Sequence, residues 1–125
     1  MSDERPIILV VEDDEDCRMV LQDLLEMSGY RVVTCAGAHH AAEQARRELP
    51  ALILVDYNMP DETGGWVVRN LREAGGELAR VPVVLTTGSS TGREIAEGLG
   101  VRSLEKPFDI SRLLELVQAL VPGQA

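Results

Sequence analysis

Carboxylates crowd one short stretch of this chain, where Glu12-Asp13-Asp14 follows the apolar run Ile7 to Val11. A further carboxylate, Asp56, ends the apolar run Ala51 to Val55, and Lys106 follows the run Val101 to Leu104. If these runs are parallel strands of one sheet, their carboxyl ends gather at least three carboxylates and one ammonium in one crevice. Two carboxylates about 4 Å apart repel by roughly 4 kcal/mol at an effective dielectric of 20, so the cluster calls for a cation. Magnesium suits it, taking oxygen ligands at about 2.1 Å and keeping waters that a phosphate oxygen can displace.

A carboxylate held beside such a cation can attack a phosphoryl group and form an acyl phosphate. Asp56 is placed for this: Tyr57-Asn58-Met59-Pro60, then Gly64, lead the chain out of the strand through a rigid turn. The Thr87 hydroxyl can donate to one phosphoryl oxygen, and Gly88 leaves the approach open. Lys106 supplies a point charge to another oxygen, with Pro107 stiffening its backbone. Glu15 and Asp16 read instead as the solvated start of a helix.

The elements that must position these groups follow from the pattern. Strand-like runs occur at Pro6–Val11, Arg31–Cys35, Ala51–Val55, Pro82–Thr86 and Val101–Leu104, with helix-period segments between them. Strands alternating with helices predict a parallel α/β sheet. Right-handed crossovers then put every loop after a strand on one edge, where such folds bind ligands.

The first helix carries the stripe Cys17, Val20, Leu21, Leu24, Leu25 and closes at Gly29. The second, Ala38 to Glu48, has a small-residue stripe that lets it pack close to the sheet. The third, Gly65 to Ala74, stops at Gly75-Gly76, and Trp66 is expected to pack at its start. The fourth, Thr91 to Gly98, is short and flanked by glycine, and is expected to be the least stable element. The last starts behind Asp109 as N-cap and ends at Pro122-Gly123.

With 125 residues the chain fits one domain, expected to span 1–125. A net charge of −9 argues against a direct nucleic-acid role, because phosphate contacts need clustered Lys and Arg. No apolar stretch approaches the roughly 20 residues of a membrane span. The start, Met1-Ser2-Asp3-Glu4-Arg5, lacks the apolar core of a signal peptide, so the expected compartment is the cytoplasm. Cys17 and Cys35 read as small buried hydrophobes without chemistry. His39 and His40 point to different faces of a helix and read as surface residues.

In combination these motifs resemble the receiver domain of two-component response regulators: Glu12-Asp13 after a strand, Asp56 with Met59-Pro60 and Gly64, Thr87-Gly88, and Lys106-Pro107-Phe108. The resemblance runs from Ile7 to Leu120. It implies a flavodoxin-like (βα)5 fold with strand order 2-1-3-4-5. It makes Asp56 the phosphoacceptor, with Mg2+, or Mn2+ in its place, held by Glu12, Asp13, Asp56 and the Asn58 backbone carbonyl.

Thr87 and Lys106 then sense the phosphoryl group, and the Lys106–Pro107 bond is expected cis. The implied partners are a sensor histidine kinase or a histidine phosphotransfer protein upstream and a protein target downstream. The phosphoryl is later lost to water, which makes the chain a switch whose only catalysis is on itself. It would act alone or as a domain of a hybrid kinase.

The chain departs from the family pattern at its output side. Three positions before the lysine, where the family usually has Tyr or Phe, stands Ser103, and the stretch from Thr87 to Lys106 is short and glycine-rich. The usual threonine–aromatic coupling is therefore lost, and ordering of the segment from Gly88 to Gly100, or use of another face, is the expected substitute. Glu12 in place of the commoner Asp still reaches a metal through water. An aspartyl phosphatase is disfavoured by Asn58, which stands where that class has its acid. A nucleotide binder is disfavoured by the acidic first loop. The remaining alternative is a phosphorylation-independent interaction module, against which the complete set Glu12, Asp13, Asp56, Thr87 and Lys106 argues.

Overall fold

The computed structural model describes residues 4–88 and 90–121. Five strands alternate with five helices: β1 (Ile7–Val11), α1 (Glu15–Met27), β2 (Arg31–Cys35), α2 (Ala38–Glu48), β3 (Leu52–Asp56), α3 (Gly64–Ala74), β4 (Val83–Thr87), α4 (Ser90–Leu99), β5 (Arg102–Glu105) and α5 (Ile110–Leu120). A 3-10 turn, Leu78–Arg80, precedes β4. All pairings are parallel, in the order β2-β1-β3-β4-β5, so this is the flavodoxin-like fold.

Alternation along the strands divides the core in two. Leu9, Val11, Ile53, Val55 and Leu85 face α2, α3 and α4, while Ile8, Val10, Leu52, Leu54 and Val84 face α1 and α5. Because both faces are covered, β3 and β4 are buried at every position. The alanine stripe of α2 is fully buried, as its spacing predicts.

The strands β3, β4 and β5 each lie one residue later than the apolar runs suggest. Pairing continues through Asp56, Thr87 and Glu105, because backbone groups go on finding partners after the apolar side chains end. Asp56 is thus the last residue of β3. The fourth helix runs ten residues, longer than the expected Thr91 to Gly98. Its buried Gly92 lies over Thr87, where an added Cβ would overlap Thr87 Oγ1 and sit 2.5 Å from Thr87 Cβ. That glycine is a packing requirement.

Helix ends follow the expected chemistry. Asp109 accepts from Ser111 N at 2.7 Å at the start of α5, and Gly29, with φ of 100°, follows α1. Thr63 caps α3 by accepting from Trp66 N at 3.2 Å. Pro122-Gly123, expected to end α5, lies outside the described residues.

Candidate functional site

Register sets the site. Ile8 pairs with Leu52 and Val11 with Val55, so the next residues along, Glu12 and Asp56, leave adjacent central strands side by side. Asp56 pairs with Thr86, and Thr87 with Glu105, which brings Lys106 alongside. Glu12, Asp56 and Thr87 are buried, while Asp13 is exposed at the mouth.

Burial of two carboxylates requires a counter-charge, and Lys106 provides it. Its Nζ donates to Glu12 Oε1 at 2.6 Å and to Asp56 Oδ2 at 2.8 Å. Burial works against the ammonium, but hydrogen bonds and attraction from Asp56 and Glu12 outweigh it and hold the lysine well above its ordinary value of 10.5. A group raised in this way contributes stability fully below pH 10.5 and loses it only at higher pH. The lysine backbone is tied to the site as well, since Lys106 N donates to Thr87 O at 2.7 Å and the Lys106–Pro107 bond is cis.

The remaining oxygens are partly engaged. Glu12 Oε2 accepts from Asp14 N at 3.0 Å and Asp56 Oδ1 from Asn58 N at 3.2 Å. Arg18 donates to the Glu12 carbonyl at 2.8 Å, a link that spacing along the chain does not reveal. One oxygen from each of Glu12, Asp13 and Asp56 lies within 4.8 Å of the others. Adjacent ligands on one octahedral Mg2+ stand about 3 Å apart, so the three must draw together by up to about 2 Å to bind such an ion directly, or a coordinated water spans the difference. The donor set fits a hard divalent cation.

The turn after Asp56 is held from outside. At Gly64 an added Cβ would meet Asp56 O at 2.7 Å and Leu85 Cδ1 at 2.6 Å, so only glycine lets α3 begin this close to the strand end. Asp61, which the sequence reading passed over, accepts from Ala38 N and His39 N at 2.9 Å each and so caps α2 from across the sheet edge. Those backbone hydrogen bonds, to His39 first, hold the Asp61 carboxyl below its usual 3.8. His39 stacks on Trp66 with centroids 4.5 Å apart, a contact joining the same two helix starts. The only hints in the sequence were an unassigned carboxylate in the β3–α3 loop and, separately, a helix α2 with no N-cap side chain of its own.

Burial pushes both Cys17 and Cys35 up to about 11, and both are free thiols. At Ser103 the structure has a cleft of about 290 Å³, lined also by Thr87, Phe108, Arg93 and Arg112. This cleft lies beside the buried threonine.

Comparison with known proteins gives one consistent result. Residues 8–118 match the family model described as the response regulator receiver domain. The polar-differentiation response regulator DivK of Brucella anthropi is 30% identical over 115 residues, covering 90% of this chain and 93% of that protein. Among solved structures, the receiver domain of a sensor histidine kinase from Pseudomonas aeruginosa, with a magnesium ion coordinated in its active site cleft, is 30% identical with a TM-score of 0.85. That match covers 94% of this chain and 98% of the other. The chemotaxis protein CheY4 of Vibrio cholerae is 27% identical with a TM-score of 0.84, over 93% and 98% of the two chains.

Two predictions follow from this geometry. Lys106→Gln leaves Glu12 and Asp56 facing each other, and is expected to cost about 2 kcal/mol of stability without divalent cations, most of it recovered in millimolar Mg2+. Denaturation midpoints with Mg2+ and with chelator check this. For Asp61 the folded value is depressed, so its stabilisation is present above pH 3.8 and fades as pH falls below it. The melting-temperature gap between native protein and Asp61→Asn should therefore be widest near neutrality and shrink in scans at progressively lower pH.

Proposed function

The chain belongs to the response regulator receiver domain family of two-component signalling, and from that premise we propose that Asp56 accepts a phosphoryl group from a phosphohistidine. The donor is a sensor histidine kinase or a histidine phosphotransfer protein. One observation carries the reading: carboxylate oxygens of Glu12, Asp13 and Asp56 converge within 4.8 Å of one another, with Lys106 bridging Asp56 and Glu12.

Glu12, Asp13, Asp56 and the Asn58 backbone carbonyl would hold Mg2+, or Mn2+ in its place. When bound, the ion neutralises the charge that develops on the transferring phosphoryl oxygens. An Asp56 carboxylate oxygen forms the new bond to phosphorus as the bond from phosphorus to the donor imidazole nitrogen breaks, leaving a neutral imidazole after proton uptake. Lys106 is already hydrogen-bonded to Asp56, so its ammonium need only turn to meet a phosphoryl oxygen. The Thr87 hydroxyl donates to another. Water later attacks phosphorus, releasing inorganic phosphate and restoring the Asp56 carboxylate. The chain's only catalysis is this action on itself.

Thr87 is where the product is read. If Thr87 shifts toward the phosphoryl group, α4, which touches it through Gly92, must follow or be released. With a cleft at Ser103 and no aromatic side chain at that position, we assign the output to ordering of residues 88–100 against the site, presented to a downstream protein. These partners meet the receiver in the cytoplasm, where ATP-fed phosphohistidine is made.

Incubation with Mg2+ and acetyl phosphate is expected to give an acid-stable, base-labile adduct on the native protein and none on Asp56→Asn. An adduct of equal yield on Asp56→Asn would place the acceptor elsewhere. Hydrogen exchange with beryllofluoride as phosphoryl mimic is expected to raise protection across residues 88–100. Unchanged protection there would sink the ordering model.

A further inference from the structure

A second cleft, of about 300 Å³, opens at the opposite edge of the sheet, where β4 and β5 begin. Part of its lining is apolar: Leu71 of α3, Leu78 of the 3-10 turn, Val101 before β5 and Leu120 of α5. Leu78 and Val101 pack on one core and Leu120 on the other, so the cleft reaches the seam between the two at the base of an edge strand. Its volume is at the low end of ligand sites.

Three guanidinium groups, of Arg72, Arg80 and Arg102, also line it, and no Asp or Glu does among the described residues. None of the three has a side-chain hydrogen bond or an ion pair among the described residues. Arg72 reaches the turn into β5, its Nη2 3.8 Å from where a Cβ on Gly100 would stand. In a chain with 21 acidic and 12 basic residues, a cleft ringed only by arginine runs against the overall balance. Guanidinium forks pair with carboxylates in bidentate geometry.

We propose that this cleft binds an aliphatic carboxylate, the apolar part entering between Leu71, Leu78, Val101 and Leu120 and the carboxylate meeting Arg72, Arg80 and Arg102. The ligand chemistry has two sources: a free aliphatic acid, or the carboxyl terminus of a protein chain ending in leucine-like residues. The site lies at the far ends of β4 and β5 from Asp56, so its test does not depend on the phosphoryl chemistry.

The test is a titration of the 15N-labelled chain with octanoate, with N-acetyl-Leu-Leu bearing a free carboxylate, and with acetate and 1-octanol as controls. Saturable amide shifts at Val81, Val83, Gly100 and Arg102 are expected for at least one of the first two probes, with affinity of the order of 1 mM. The tighter of the two identifies the source. Arg72→Gln with Arg102→Gln, both exposed positions whose replacement leaves the core intact, should weaken binding at least tenfold. Three results would overturn the site: no saturable shifts at these amides with either probe, equal shifts with acetate or octanol alone, or undiminished binding by the double variant.

Discussion

The ammonium of Lys106 between Glu12 and Asp56 is the contact on which the rest depends. Two buried carboxylates on adjacent central strands would repel by roughly 4 kcal/mol at 4 Å, and nothing apolar can relieve that. The lysine, at 2.6 and 2.8 Å from them, supplies the missing charge from the far side of the sheet. Because desolvation is offset only by these two partners, any change in the charge of either carboxylate changes what holds the lysine. Structure and chemistry are thus the same interaction seen in two conditions.

The geometry descends from register. Parallel pairing of Val11 with Val55 and of Asp56 with Thr86 needs both faces buried, which the alanine stripe of α2 and the leucines of α1 and α5 achieve from opposite sides. A slip of one residue would send Asp56 to the other face and into the apolar core. Gly64 and Gly92 set how closely α3 and α4 approach the strand ends, the first against the Asp56 carbonyl and the second against Thr87. Two glycines therefore set how closely helices approach Asp56 and Thr87.

Much of this was legible in the sequence because strong signals agreed: continuous apolar runs for β1, β3 and β4, helical stripes for α1 and α5, and charges at the strand ends. Glu12, Asp13, Asp56, Thr87 and Lys106 were all placed at the correct edge, where the structure brings them together. The ends of β3, β4 and β5 were misplaced by one residue because hydropathy marks side-chain burial, while the ladder is a backbone property. The extent of α4 was underread because glycine lowers helix propensity, and its packing against Thr87 is visible only in three dimensions. Asp61 on α2 and His39 on Trp66 join residues more than twenty apart, and no local pattern encodes them.

Behind the whole account stands one claim: Glu12, Asp13 and Asp56 hold a single divalent cation at the carboxyl ends of β1 and β3. Substoichiometric Mn2+ added to the 15N-labelled chain tests it most directly, because the paramagnetic ion broadens only amides near where it sits. Selective loss of the Asp13, Asp14, Tyr57 and Asn58 signals is predicted, reversed by Mg2+ and absent in the variant with Asp13→Asn and Asp56→Asn. Broadening scattered over the acidic start of α1, or unchanged in that variant, would contradict it.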